Sequence, residues 1–411
     1  MDSKFYFGAS TSSHQVEGNN HNDWSEWEKK NAPRLASLAQ GKSELIESFP
    51  GAGNPENYIS GNACNSYELF NKDIGALASL GCNAYRFSIE WSRIEPEEGK
   101  FNSSAILKYR EMILAAKGAG LEPFLTLHHF TNPTWIERDG GIISKNFPKF
   151  FERFVEKVGI EFKNQIRFIT PINEPEILSL NGYYRGTWPP SKKSFFKFFK
   201  ARKNLVQAHI LAYKKLKEIN PEFVVGPVCN LTYFESAGGL VNYFIKSVAL
   251  RFWNFNFLDK VRKYSDFIGI NYYFHNRINW GLNKNGSTSS PQAKVSDMGW
   301  ELYPQGIENI LTETYSRYRL PLFITENGLA DASDKNRTWF IKETFQAISR
   351  ALKNNVDLRG YFHWSLLDNF EWDKGFWPKF GLFKVNFNTF ERIPRESSKV
   401  YAEEIKKFIN E

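Results

Sequence analysis

Eight short runs rich in β-branched and aromatic residues recur along the chain, at 5–10, 84–89, 122–127, 168–173, 224–229, 266–273, 322–327 and 360–366, with segments of helical periodicity between them. Tyr67, Phe70, Ile74 and Leu77 share one helical face, as do Phe147, Phe150, Phe151, Phe154, Val155 and Val158, and again Phe340, Phe345, Ile348 and Leu352. Gly81 and Gly120 each stand just before a β run, where a helix can end on a left-handed residue. Runs such as FITPIN and LFITEN are apolar almost throughout, which suits parallel strands covered on both faces. Eight strand–helix units predict an α/β fold, a closed (β/α)8 TIM barrel. An open doubly wound sheet is the alternative, and it is disfavoured because no G-x-G-x-x-G or G-x-x-x-x-G-K-[ST] follows the first run. No Pro/Ser-rich linker divides the chain, so residues 1–411 read as one barrel domain. Two polar, Gly-rich stretches, 31–61 and 281–297, read as extended loops after the first and sixth strands.

The C-terminal ends of barrel strands converge on one mouth, so the residues there are the first candidates for chemistry. The fourth run ends in Asn173-Glu174-Pro175 and the seventh in Thr325-Glu326-Asn327-Gly328. Strands four and seven of eight stand roughly across the barrel from each other, which sets two carboxyls face to face over the opening. Such a pair suits glycosidic bond cleavage, where one carboxylic acid protonates the bridging oxygen and a carboxylate attacks or supports the anomeric carbon. Separations of about 5–5.5 Å lead to retention of configuration, and about 6.5–9.5 Å to inversion through an inserted water. A lone N-E-P or E-N-G could be an ordinary strand-end turn; two of them, at the ends of independently read strands, carry the argument together. His128 and His129 are adjacent on a strand and point to opposite faces, so they cannot chelate one ion. With no H-E-x-x-H and no His/Cys cluster, neither a metal nor a cofactor is expected.

Further motifs fall near the other strand ends. They are Ser13-His14-Gln15-Val16-Glu17-Gly18, Tyr85-Arg86-Phe87-Ser88, His128-His129-Phe130, Asn271-Tyr272-Tyr273, Asp297-Met298-Gly299-Trp300-Glu301 and the run from Trp364 to Trp372, WSLLDNFEW. In this order, and together with the two carboxylate motifs, they resemble glycoside hydrolase family one, the β-glucosidase and β-galactosidase family, from Ser10 to about Phe383. The resemblance implies a retaining β-glycosidase, a β-glucosidase first of all, acting on a small β-glycoside or short oligosaccharide. It implies Glu174 as the acid/base and Glu326 as the nucleophile, with Arg86 and Tyr273 as the nucleophile's partners. Gln15, His129, Asn173 and Glu371 resemble the glycone-binding set, Trp364 and Trp372 the flat walls of that site, and Trp300 the aglycone platform. Asn173 would donate to the sugar 2-hydroxyl, a contact that strengthens in the transition state of this reaction class.

The chain departs from the family pattern at two places. Pro171 stands where Thr is usual and removes a ladder donor from a central strand. Phe130 replaces a more frequent Trp, a change that bears on a sugar contact. Phosphosugar-specific members lack the Glu371-Trp372 pair and carry Ser, Lys and Tyr for the phosphate, so an unphosphorylated sugar is expected here.

The formal net charge is +8, with 45 acidic residues interleaved among 53 basic ones, which gives no nucleic-acid footprint. The most basic stretch, 192–203 (KKSFFKFFKARK), reads as a solvated helix face rather than a membrane or RNA patch. Three separated cysteines, Cys64, Cys82 and Cys229, offer no disulfide framework. With no signal-like N-terminal run and no apolar stretch of membrane-spanning length, a cytoplasmic protein is expected, with assembly into a homo-oligomer left open. Aromatic residues reach 16%, which suits a protein that also offers flat apolar faces to sugars. Two other readings compete: a catalytically silent sugar-binding barrel, and a barrel aldolase or phosphosugar enzyme. The last needs a Schiff-base Lys or a phosphate loop near strands seven and eight, where Glu326 and Trp364 stand instead. A panel of aryl β-glucoside, galactoside, fucoside and mannoside separates them: a hydrolase turns over at least one, whereas a silent binder shows affinity without turnover.

Overall fold

The computed structural model describes residues 4–280 and 293–410. The strands of its main sheet are β1 (Tyr6–Ser10), β2 (Ala84–Ser88), β3 (Glu122–His128), β4 (Phe168–Ile172), β5 (Val224–Val225), β6 (Val228–Ser236), β7 (Ile268–Ile278), β8 (Leu322–Asn327) and β9 (Leu358–Trp364), and a separate antiparallel pair, Phe383–Asn386 with Glu391–Pro394, follows. The main sheet is parallel, in the order β5-β4-β3-β2-β1-β9-β8-β7-β6. β5 and β6 are consecutive pieces of one stave, parted at Gly226-Pro227, so every one of the eight predicted runs supplies a stave. β4 pairs with β5, β7 pairs with β6, and the bridge Asn173↔Val228 carries the pairing across the break, which closes the ring.

The break explains how a central strand tolerates Pro171. Pairing from β4 to its neighbour stops at Ile169↔Val225 and is taken up again at Asn173↔Val228. Pro171 lies in that interval, where no ladder donor is asked of it. Beyond it the backbone is firmly held, with the Asn173 amide donating to the His128 carbonyl at 2.9 Å and that of Glu174 to Val228 at 2.8 Å.

The floor of the barrel is an aromatic plug. Tyr6, Ala84, Phe124, Phe168, Val224, Phe267, Phe323 and Phe362, one from each stave, form a buried cluster of their own. Phe124 and Phe168 stack at 4.1 Å, and Tyr6 and Phe323 meet them edge-on. Much of the high aromatic content is therefore structural filling at one end of the barrel, and the space above the plug is left for polar side chains.

The periodic segments fold as predicted, into helices Ser66–Ser79, Phe147–Phe162 and Arg337–Lys353, and Gly81 and Gly120 adopt left-handed φ of 73° and 78°. The stretch 31–61 does not fold as one loop. Its first ten residues continue the helix Asp23–Gln40, followed by a short helix Ser43–Ser48 and two 3-10 turns. Asn22 and Ser25 close a reciprocal capping box at the start of the long helix, and Trp24, Trp27, Leu35 and Ala39 bury one of its faces. Pro33 sits on the exposed face, where water can take the carbonyl it leaves unpaired, so the buried face outweighs the breaker. Of the second predicted loop, residues 281–292 lie outside the described residues.

Gly328 is fixed by close approach: a Cβ there would stand 1.8 Å from the Trp364 carbonyl oxygen, whereas one at the exposed helical Gly75 would meet nothing within 4 Å. Gly328→Ala is expected to destabilise by about 1–3 kcal/mol or more through overpacking. Gly75→Ala should stabilise by about 0.5–1 kcal/mol through reduced backbone freedom. Opposite shifts of the urea midpoint check the pair.

Candidate active site

A β-bulge aims the first carboxylate. Strand alternation from the inward Phe323 would turn Thr325 in and Glu326 out. In β8, however, Ile270 pairs with Ile324 and the next residue, Asn271, pairs with Glu326, so Thr325 is an extra residue in the ladder. The bulge brings Glu326 to the cavity above the plug, a known use of bulges beside active sites. Thr325 is pinned in turn, its carbonyl accepting from Ser10 Oγ at 2.7 Å and its hydroxyl donating to Asn271 Oδ1 at 2.7 Å.

Glu326 is held from two sides. Arg86 Nη1 donates to Oε1 at 2.6 Å, and the Tyr273 hydroxyl donates to Oε2 at 3.0 Å. Burial pushes the Glu326 carboxyl above the usual range, and the Arg86 cation and the Tyr273 donor oppose that push.

Glu174 follows Asn173 at the end of β4 with a left-handed φ of 42°, a conformation that costs a non-glycine residue of order 1–3 kcal/mol and clusters at functional sites. Pro175 begins the next helix directly after it. Its Oε1 accepts from Asn271 Nδ2 at 2.8 Å and from Asn230 Nδ2 at 3.0 Å. No cation is among these partners. Burial, then the Glu326 charge, raise Glu174 to about 8. The two carboxyls thus differ in the way an acid and a nucleophile must, one supported by a guanidinium and the other by neutral amides.

Asn173 links the two halves. Its Oδ1 accepts from Arg86 Nη2 at 2.7 Å and from Asn271 Nδ2 at 3.3 Å, and its Nδ2 lies 3.2 Å from His129 Nε2. Burial and the Arg86 charge hold His129 well below its ordinary value, so the ring is neutral. The His129 ring is near-parallel to Trp364 at 6.0 Å and to Trp372 at 6.1 Å. His128 faces the other way, onto Phe147 and Phe151 of the covering helix, with Nε2 3.0 Å from Asn132 Oδ1. Glu371 reaches the same cavity, and burial followed by the Glu326 charge raises it to about 8.

Of the residues read from the sequence, His129, Asn173, Glu174, Tyr273, Trp300, Glu326, Trp364, Glu371 and Trp372 line one cavity of about 710 Å³. Arg86 and Gln15 lie behind that lining. Gln15 Nε2 donates to the Phe370 carbonyl at 2.8 Å and to Glu371 Oε2 at 3.3 Å, which places it as a support for Glu371. Trp300 also lines an adjoining cleft of about 840 Å³, so it stands where the two spaces meet. Phe130, at a left-handed φ of 73°, packs on Trp188 and Trp372, each at 5.1 Å. Sequence reading missed Asn230 and gave no task to Asn271. Asn230 directly follows the fifth predicted run, so the strand-end rule reaches it.

The sequence model of the family described as Glycosyl hydrolase family 1 matches residues 1–261 and 247–408. β-Glucosidase A of Thermotoga maritima is 29% identical over 448 residues, covering 98% of this chain and 97% of that protein. The β-galactosidase of Saccharolobus solfataricus is 28% identical over 454 residues, covering 93% and 88%. Among solved structures, the β-glycosidase from Pyrococcus horikoshii superposes with a TM-score of 0.85 at 38% identity, over 98% of this chain and 94% of that one.

The Glu326 charge raises Glu174 across the cavity, so removing it must lower Glu174. Glu326→Gln is expected to shift the Glu174 titration to lower pH, read by carbon-detected NMR of labelled side-chain carboxyls. An unmoved titration contradicts the coupling.

Proposed function

Because the chain belongs to glycosyl hydrolase family 1 and is a β-glycosidase, we propose that it releases terminal non-reducing β-D-glucosyl residues, and β-galactosyl or β-fucosyl units as further glycones, by a retaining double displacement. The observation that carries this reading is the unequal pair in one cavity: Glu326 bound by Arg86 and Tyr273, Glu174 bound by Asn230 and Asn271. The named β-glucosidase and β-galactosidase relatives support the choice of glycones. The catalytically silent alternative is set aside with the family assignment.

In the first step Glu174 gives its proton to the glycosidic oxygen as the bond to the anomeric carbon breaks, and a Glu326 oxygen bonds to that carbon from the opposite face. The leaving group departs as a neutral alcohol, and the sugar stays as an ester on Glu326. Glu174, now a carboxylate, takes a proton from water; the hydroxide bonds to the anomeric carbon and Glu326 is released. Two inversions return the β configuration. Arg86 and Tyr273 keep Glu326 ionised and oriented, Asn173 addresses the 2-hydroxyl, and His129, Glu371 and the faces of Trp364 and Trp372 hold the rest of the glycone. Gln15 orients Glu371. Trp300, between cavity and cleft, receives the aglycone. We take residues 1–411 as one catalytic unit, which the closed ring of staves supports. A cytoplasmic setting is supported by the free, buried thiols of Cys64, Cys82 and Cys229.

Glu326→Gly should abolish turnover of an aryl β-glucoside, and added azide should restore it with an α-glucosyl azide as product; recovery of a β-azide, or unimpaired turnover, would falsify the nucleophile assignment. Glu174→Ala should lose about 10²–10⁴-fold on poor leaving groups and far less on dinitrophenyl glucoside, which needs no proton. Because the working form of Glu174 is protonated, wild-type turnover should fall as pH rises through about 8. That alkaline limb should vanish in Glu174→Ala.

A further inference from the structure

The lysines of 192–203 are exposed, as a solvated helix face requires, but Phe195, Phe196 and Phe199 between them are exposed as well, with Phe198 alone of the four turned into the core. Phe195 and Phe196, at the start of the helix Phe195–Ile219, are 59% and 87% exposed. A second segment, the helix Leu240–Ala249 and the turn that follows, exposes Val241, Phe244, Val248 and Phe252, a ridge at helical spacing, with Phe244 69% exposed and the leading Leu240 90%. The segments meet where Phe252 approaches Phe199 at 6.4 Å, and Arg202 spans the junction by donating to the Phe252 carbonyl. The apolar stripe is thus continuous from one helix to the other, larger than the scattered apolar residues of an ordinary surface.

Within the two segments that carry the stripe the charge has one sign, and the acidic partners Glu156, Glu218 and Asp266 meet the first of them at Lys215 and Lys217, at the far end of its helix. Residues 186–217 hold nine Lys and Arg and no Asp or Glu, although the whole chain carries 45 acidic residues. Residues 237–258 hold no acidic residue either. In that second segment Lys246 turns away to Glu313 at 3.3 Å, which leaves the ridge itself apolar. A basic rim beside exposed aromatic and aliphatic side chains is the signature of a face that rests in an anionic lipid interface. A second copy of the chain fits poorly, because a two-fold contact would set this acid-free rim against itself. Ala249, Phe252 and Trp253, at the end of the ridge, also line the active-site cavity, so the stripe runs up to its mouth.

We propose that this surface docks the protein on an anionic lipid bilayer, as a peripheral contact that sets the mouth of the cavity at the membrane interface. Among the described residues no helix is long and apolar enough to cross a membrane, so the attachment is to one leaflet. The full chain is to be mixed with vesicles of phosphatidylcholine alone or with one-third phosphatidylglycerol, then sedimented. Binding to the phosphatidylglycerol vesicles that weakens as salt is raised is expected. It should drop at least tenfold in Phe196→Ser/Phe244→Ser and in Lys193→Glu/Lys197→Glu, with kcat/KM on a soluble aryl β-glucoside unchanged. No partition into anionic vesicles at low salt overturns the proposal, as does equal partition of wild type and both variants. Light scattering covers the remaining case: an oligomer that Phe196→Ser/Phe244→Ser turns into a monomer, without vesicle binding, assigns the face to a second copy and also overturns it. Since the aryl glucoside assay is independent of vesicles, failure of docking is distinguishable from failure of the hydrolase reading.

Discussion

The Arg86–Glu326 ion pair is the constraint from which the rest of the site follows. Both side chains are almost wholly buried, 1% and 5% exposed, and their oxygen–nitrogen distance is 2.6 Å. Removing one partner of such a pair leaves a charge without water or counterion, at a cost of about 3–5 kcal/mol. Arg86 therefore cannot relax toward solvent, and its second nitrogen is committed to Asn173. Through Asn173 and Asn271 the same guanidinium is tied to Glu174, so the ends of β2, β4, β7 and β8 are fastened by one polar network above a wholly apolar floor. The shared donors and acceptors rigidify the groups that face the cavity, while Arg86 Nε, His129 Nδ1 and Asn230 Oδ1 are buried without a hydrogen-bond partner.

The difference between the two carboxyls comes from where their staves place cations. β2 delivers Arg86 to one side of the cavity, and among the described residues no cation bonds Glu174, whose partners are the amides of Asn230 and Asn271. The Glu326 charge adds to the asymmetry by raising the acid it faces. The two carboxyls are thus distinguished by position on the barrel rather than by any difference in residue type.

Much of this was legible in the sequence, because strand ends are where a barrel displays its chemistry. Glu174, Glu326, Asn173, Tyr273 and Trp364 were found by that rule or by the motifs around it, and they line one cavity. What escaped reading is set by backbone geometry that leaves no compositional trace. The extra residue Thr325 in β8, which turns Glu326 inward, shows only once register is known. The left-handed conformations of Glu174, Phe130 and Trp372 are imposed by their surroundings, not by their side chains. Pro171 looked like a defect because its neighbour's break at Gly226-Pro227 is a property of another stave. The helix Asp23–Gln40 was hidden by Pro33 and by polar composition, although Asn22 and Ser25 already spelled its cap. At 192–203 the alternation of Lys and Phe gave the helix, but which faces its neighbours cover is decided by packing.

The aromatic plug has a consequence for traffic. A chamber whose floor is sealed by interlocking rings keeps its doorway at the other end, so whatever enters must leave on the side by which it came. A sugar bound at the bottom can extend only upward, which restricts cutting to the end of a chain and never its middle. After the bond breaks, the departing half occupies the exit ahead of the trapped half, and the order of release is dictated by architecture. A second sugar that arrives before water does meets the waiting ester from that same doorway, and synthesis and hydrolysis then compete for one threshold.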